Sequence, residues 1–223
     1  MDLVIRVFLW FLLFTASSRA QDAWLPALLP SDARIIGTAP VHSRLLVLWM
    51  QHPQRVIRNA EGGCEAALYG DHWLGPARLS LVNPTTKRVI NTVVVRDASE
   101  PREDAVHVSI EPFKLRDITG EGVAGQFELF HYVTCGNSAT TVLGYSPRLD
   151  KAIQYDIGPR KWHDHPLGEA PVSPGRYILD WDPGHGCFCA VHDEIAFDRT
   201  RQIFTLKRRS ATSPAAGTPA SSR

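Results

Sequence analysis

Residues 113–157 constrain what this chain can fold into more than any other stretch, because strand-length apolar runs follow one another there with only polar links between them. Phe127 to Val133, Thr140 to Tyr145 and Ala152 to Ile157 are rich in aromatic and β-branched residues. Cys135-Gly136-Asn137-Ser138 separates the first two runs, and Ser146-Pro147-Arg148-Leu149-Asp150 separates the second two. Such side chains fit a pleated surface, and links this short join antiparallel neighbours. The stretch reads as a β-meander.

The same grammar recurs along the chain. Leu45 to Met50 is continuously apolar, as in a strand covered on both faces. From Ala77 to Val95 two runs flank Asn83-Pro84-Thr85-Thr86-Lys87, which predicts a hairpin, and Val106 to Ile110 alternates cleanly. Arg176 to Trp181, Phe188 to Phe197 and Gln202 to Leu206 complete the set, with Asp198-Arg199-Thr200-Arg201 as the last turn. No segment sustains a helical period. The expected fold is therefore all-β, an antiparallel meander of hairpins arranged as a β-sandwich or a small propeller-like stack. Val82 to Ile90 lines up without gaps on Tyr145 to Ile153, and Phe197 to Ile203 repeats the pattern with a shorter turn. Recurring hairpins are how propeller blades look in sequence, and any antiparallel hairpin shares the pattern. Gln21 to Ser43 has no clear period and is expected to wrap the surface or to enter the fold late. His52 to Tyr69 is expected to be a loop pinned by Cys64, and Lys161 to Gly175 a connection bearing Pro and His.

Residues 1–20 have the layout of a secretory leader. Arg6 precedes the apolar run Val7 to Thr15, and Ser18-Arg19-Ala20 places small residues where a signal peptidase reads them, so cleavage is expected after Ala20. That run falls short of the roughly 20 residues a membrane span needs, so no stable span is expected once the leader is removed, with an uncleaved anchor as the alternative. The expected compartment is periplasmic or secreted. Residues 21–207 then form a single all-β domain, and 208–223 a disordered tail of Ser, Ala, Pro and Thr. A net charge of +1 with scattered basic residues gives no ground for a nucleic-acid or membrane-surface partner, and an unknown protein or glycan ligand is expected instead.

Export decides how the cysteines read. In an oxidising compartment Cys64, Cys135, Cys187 and Cys189 are most simply two disulfides. Cys187 and Cys189 share a face if they lie on one strand, and a ring between them is very tight, so each is expected to pair with a distant cysteine. The alternative is a zinc site built from Cys187, Cys189, His185 and His192.

Three further patterns can carry function. His163-Asp164-His165, with Asp180, Asp182, His185 and His192, offers imidazoles and carboxylates of the kind that hold a transition metal and activate water, the basis of a metal-dependent hydrolase reading. Trp73, Trp162, Trp181 and Tyr177 can build a ligand platform or serve as core. The third is Asp117-Ile118-Thr119-Gly120-Glu121-Gly122, which resembles the calcium loops of FG-GAP/VCBS-type repeats over the stretch around Asp117. The resemblance implies calcium held by side-chain oxygens of Asp117, Thr119 and Glu121 and by the Val123 carbonyl, with Gly122 at the sharp turn. The chain departs from that pattern in three places: Thr119 replaces an Asp or Asn, Glu121 is longer than Asp, and Gly125 stands where an acid is expected. No Gly-x-Ser-x-Gly elbow is present. The reading from sequence is a β-rich binding or structural module with a calcium-stabilised loop, and the alternative is the hydrolase centred on His163 and His165.

Overall fold

A computed structural model describes residues 23–58, 70–96, 106–109, 114–134, 137–155, 157–158, 173–181 and 190–212. A 3-10 turn, Leu25–Leu28, precedes β1 (Ala33–Val41), β2 (Arg44–Gln51), β3 (Gln54–Arg58), β4 (Gly70–Gly75), β5 (Ala77–Asn83), β6 (Arg88–Val94) and β7 (Val106–Ser109). There follow β8 (Gln126–Thr134), β9 (Asn137–Ser146), β10 (Lys151–Tyr155), β11 (Ile157–Gly158), β12 (Arg176–Trp181), β13 (Ala190–Asp198) and β14 (Ile203–Thr212). The fold is all-β, as the alternating runs predict, and its pairings are antiparallel apart from the short β11–β14 bridge. Among the described residues no helix is long and apolar enough to cross a membrane.

The strand order gives an N-terminal sheet β1-β2-β5-β6, a middle sheet β10-β9-β8, a C-terminal sheet β11-β14-β13-β12 and a small sheet β3-β4-β7. The small sheet continues the β2–β5 ladder past His52 and Pro76, where Gln51 N donates to Pro76 O and the register resumes with Gln54 opposite Leu74. The other three sheets stack face to face. Leu46, Leu48, Met50, Leu79 and Leu81 meet Phe127, Leu129, Leu143 and Tyr145 in the first core. Ile118, Val142 and Tyr155 meet Tyr177, Ile195 and Phe204 in the second. Strand β9 serves both cores because successive side chains point to opposite faces, with Leu143 and Tyr145 on one side and Val142 on the other. Each of these large side chains, once buried, contributes about 1.5–3 kcal/mol. The outer face of β2, Val47 and Trp49, is covered by Leu25 and its neighbours, so the run Leu45 to Met50 is sheltered on both sides as expected.

Two side-chain amides stitch the N-terminal sheet to the middle one. The Asn91 amide donates to Ala152 O (2.8 Å) and accepts from Ala152 N (2.9 Å), and the Gln154 amide does the same to Arg96 O and N at 2.9 Å each. Both amides act as surrogate peptide groups, so β6 and β10 are joined without a backbone ladder.

Four expectations need correction. Residues 33–41, expected to wrap the surface, form β1. Pro40 and Gly37 hide the strand in sequence, yet β1 is an edge strand and its ladder shifts register between Ile35 and Gly37, the settings in which a sheet accepts these residues. The segment expected to be a loop from His52 to Tyr69 opens with β3. The tail does not start at 208, because β14 runs to Thr212 and pairs Ser210, Ala211 and Thr212 with His192, Val191 and Ala190. Finally, the turn after Asp198 is not shorter than the others. In all three hairpins four residues separate the strands, and the last has positive φ: Lys87 at 51°, Asp150 at 47° and Gln202 at 55°. Gln202 looks like a strand residue, and only its backbone shows that it closes the turn.

Candidate functional site

The three matching turns are built by the residue that ends each outgoing strand. Asn83 Oδ1 accepts from Thr85 N and Thr86 N (3.0 and 3.1 Å), and Asp198 Oδ1 from Thr200 N and Arg201 N (2.9 and 3.0 Å). In the middle hairpin Ser146 Oγ accepts from Leu149 N at 3.3 Å. Short polar side chains bond their own following backbone in this way, which is why Asn, Ser and Asp stand there. The two backbone N–H groups, Arg201 first, hold the Asp198 carboxyl below its ordinary range.

Loop 117–122 joins the second and third of these tips at the same end of the stack. Asp117 Oδ1 accepts from Gly120 N (2.9 Å) and Glu121 N (3.1 Å), and Oδ2 accepts from Gly122 N (2.9 Å). Thr119 is buried and its hydroxyl donates to Glu121 Oε2 at 3.3 Å. Glu121 Oε1 accepts from Gln202 Nε2 at 3.0 Å, and Gln202 Oε1 accepts from Ser146 Oγ at 2.6 Å. Arg199 donates to Gly120 O, while Arg148 Nη1 reaches Arg199 O at 2.9 Å. From beneath, Gln126 Oε1 accepts from Ile118 N at 2.9 Å, and its amide nitrogen donates to Tyr145 O at 3.0 Å. Gly120, at φ 72°, lies so close to Pro174 that a Cβ would fall 2.8 Å from that carbonyl oxygen. The loop therefore needs glycine there for reasons of approach as well as dihedral.

The structure thus gathers Asp117, Thr119 and Glu121 on one turn. The Val123 carbonyl accepts from Gly125 N at 2.8 Å, and the Val123 side chain packs against the first core. Three backbone N–H groups already face the Asp117 carboxylate, supplying part of the positive potential that a cation would bring. Gly125, where the calcium-loop pattern has an acid, packs against Val41 and Tyr145, and its carbonyl accepts from Tyr145 N at 2.8 Å.

Two ion pairs flank the loop. Arg44 bonds Asp150 through Nε (3.1 Å) and Nη2 (2.7 Å), and the Tyr145 hydroxyl donates to Asp150 Oδ1 at 3.1 Å. The Arg44 hydrogen bonds hold the Asp150 carboxyl below its ordinary range, and burial raises the Tyr145 hydroxyl with Asp150 adding to it. Deeper in, Arg116 pairs with Glu128, whose side chain is only 5% exposed, and the Tyr177 hydroxyl points to Glu128 Oε1 at 3.4 Å. Burial pushes the Glu128 carboxyl above its ordinary 4.5, while Arg116 pulls the other way and does not cancel the effect. Burial, with Glu128 nearby, raises the Tyr177 hydroxyl as well.

No protein-family model, curated protein or solved structure matches the chain.

The remaining sequence candidates are spread out. Cys64, Cys135, Cys187 and Cys189 lie outside the described residues, and so do His163, Asp164, His165, Asp182, His185 and Trp162. Asp180 on β12 stands opposite His192 on β13. Tyr177 is core, at 1% exposure, and is closed to a ligand. Trp73 sits in the small sheet with the Arg34 guanidinium 3.9 Å from its ring centre and packs against the first core, whereas Tyr177 belongs to the second. Sequence reasoning missed Gln126, Ser146, Gln202, Arg199 and Arg44, which connect the site. Ordinary polar residues carry no spacing signal when their partners lie far away along the chain.

Proposed function

We propose that the chain is an exported β-rich binding or structural module that engages its partner through the hairpin-tip end of the stack. What supports this reading is the network of loop 117–122, Ser146, Arg148, Arg199 and Gln202, which ties the tips of two sheets into one plate. Rigid scaffolds that hold loops in fixed positions are where binding surfaces arise. Loop 117–122 acts in this reading as a latch held by its own hydrogen bonds. The calcium site implied by the resemblance to FG-GAP/VCBS-type loops is the second reading, favoured by the placement of Asp117, Thr119 and Glu121 on one turn.

A thermal melt separates the two. Asp117→Ala leaves three N–H groups without their acceptor, and each exchanged or lost bond costs about 1 kcal/mol, so a drop of about 2–3 kcal/mol is expected in chelator and in calcium alike. A calcium-dependent rise in Tm that Asp117→Ala abolishes makes the loop a metal site, with stabilisation of about 2.7 kcal/mol when calcium is a hundredfold above its Kd.

A further inference from the structure

The row of tips has a charge that the sequence disperses. Each of the three matching hairpins contributes two exposed cations: Lys87 and Arg88, Arg148 and Lys151, Arg199 and Arg201. The described carboxylates among them are already engaged. Asp150 is held by Arg44, Asp198 and Asp117 by backbone N–H groups, and Glu121 by Thr119 and Gln202. These hydrogen bonds leave the carboxylates charged, yet the six bases together with Arg44 outnumber the four carboxylates, so the face is net positive on a protein of net charge +1.

A second observation is independent of charge. Among the described residues the large hydrophobic side chains that stand exposed are Val89, Ile90 and Leu149, the last at 46%. Leu149 is within the apex of the middle hairpin, between Arg148 and Lys151, and Val89 and Ile90 follow Arg88 directly. The two hairpins are neighbours, since the Asn91 amide clasps the Ala152 backbone. An aliphatic side chain set among cations on a projecting apex, as Leu149 is, with Val89 and Ile90 at the base of the neighbouring hairpin, is what an anionic bilayer accepts: the bases meet headgroup phosphates and the apolar group enters the acyl boundary. A sugar ring stacks on aromatic faces instead, and residues 84–90, 147–151 and 199–202 include none.

We propose that the hairpin tips dock on an anionic phospholipid surface, with Arg88, Arg148, Lys151 and Arg201 at the headgroups and Leu149 inserted. The proposal rests on the tip end being the binding face. Each base near such a surface raises the partition coefficient about fivefold. The test is co-sedimentation of the full chain with vesicles of phosphatidylcholine alone or mixed with phosphatidylglycerol, at low and high salt. Binding only to the anionic vesicles, weakened by salt, is expected. Arg88→Gln with Lys151→Gln should lower it about 30-fold, and Leu149→Ser should lower it further, while Tm stays unchanged because these side chains are exposed. Equal binding to neutral vesicles, or full binding by the double variant, overturns the proposal. Heparin serves as a soluble polyanion in parallel. If heparin binds through the tips and vesicles do not, the lipid assignment fails and the binding face stands; if neither binds, both fail.

Discussion

At the scale of single residues, Glu128 and two half-buried aspartates, Asp150 and Asp198, respond to acid in opposite directions. The Glu128 carboxyl has a folded pKa above its ordinary 4.5, so as pH falls from that raised value towards 4.5 the folded chain takes up a proton before the unfolded chain does. Stability therefore gains across that window. Asp150 and Asp198 have folded values below 3.8, so what they contribute is fully present above 3.8 and is lost as pH falls through their lowered values. Glu128→Gln keeps an acceptor for Tyr177 and removes the titrating group. Denaturant melts of both proteins should show a rise in stability from neutral pH towards 4.5 in the parent chain only, and a shared loss at lower pH. An identical profile in the variant over the upper window would contradict the assignment to Glu128. None of this is visible in sequence, where Glu128 is one polar position in an alternating strand and Arg116 and Tyr177 are distant along the chain.

At the scale of elements, the end of β14 decides where the domain stops. Arg209 donates Nε and Nη2 to the two Asp193 oxygens at 2.7 and 2.9 Å, and the Asp193 side chain is fully buried. Composition alone puts 208–212 in the tail, because the chain carries no large apolar side chain after Leu206. Strand pairing and one buried carboxylate override that, since a buried charge that loses its partner is costly. Arg209→Ala is expected to destabilise the protein by about 3 kcal/mol. Truncation after Lys207 should cost at least as much, because it also removes the ladder from Arg208 to Thr212. Asp193→Leu combined with Arg209→Met should recover most of the loss, as apolar replacements of paired buried charges do. Chemical denaturation of the three proteins is the check, and a truncated chain as stable as its parent would put the boundary back at 207.

At the scale of the whole molecule, the middle sheet has no face of its own to spare. Phe127 is in the first core and Phe204 in the second, both at 1% exposure or less, and β9 contributes to both. The amides of Asn91 and Gln154 fix one interface, and the Gly144 backbone at φ 154° fixes the approach of β9 to Gly125, where a Cβ would lie 2.2 Å from the carbonyl oxygen. Phe127→Ala and Phe204→Ala should each cost about 3–5 kcal/mol. Because β9 couples the cores, each should lower a single transition seen alike by far-ultraviolet circular dichroism and by tryptophan fluorescence. Two separated transitions in either variant would mean that the sheets unfold independently.

The sequence by itself determined the all-β class, the presence of the three hairpins though not the length of the last turn, and the strand Leu45 to Met50 covered on both faces. These are local properties: alternation, β-branching, and a short polar side chain that bonds its own backbone a few residues on. The tertiary structure alone decided the stacking order of the sheets and the extension of β14. It also decided the change of loop 117–122 from an isolated acidic motif into a latch bonded to Gln202 and Arg199, and the alignment of three cationic tips on one end. Those outcomes depend on pairs such as Asn91 with Ala152, Asp193 with Arg209 and Ser146 with Gln202. Their partners meet only after the chain has closed long loops, so no periodicity along the sequence encodes them.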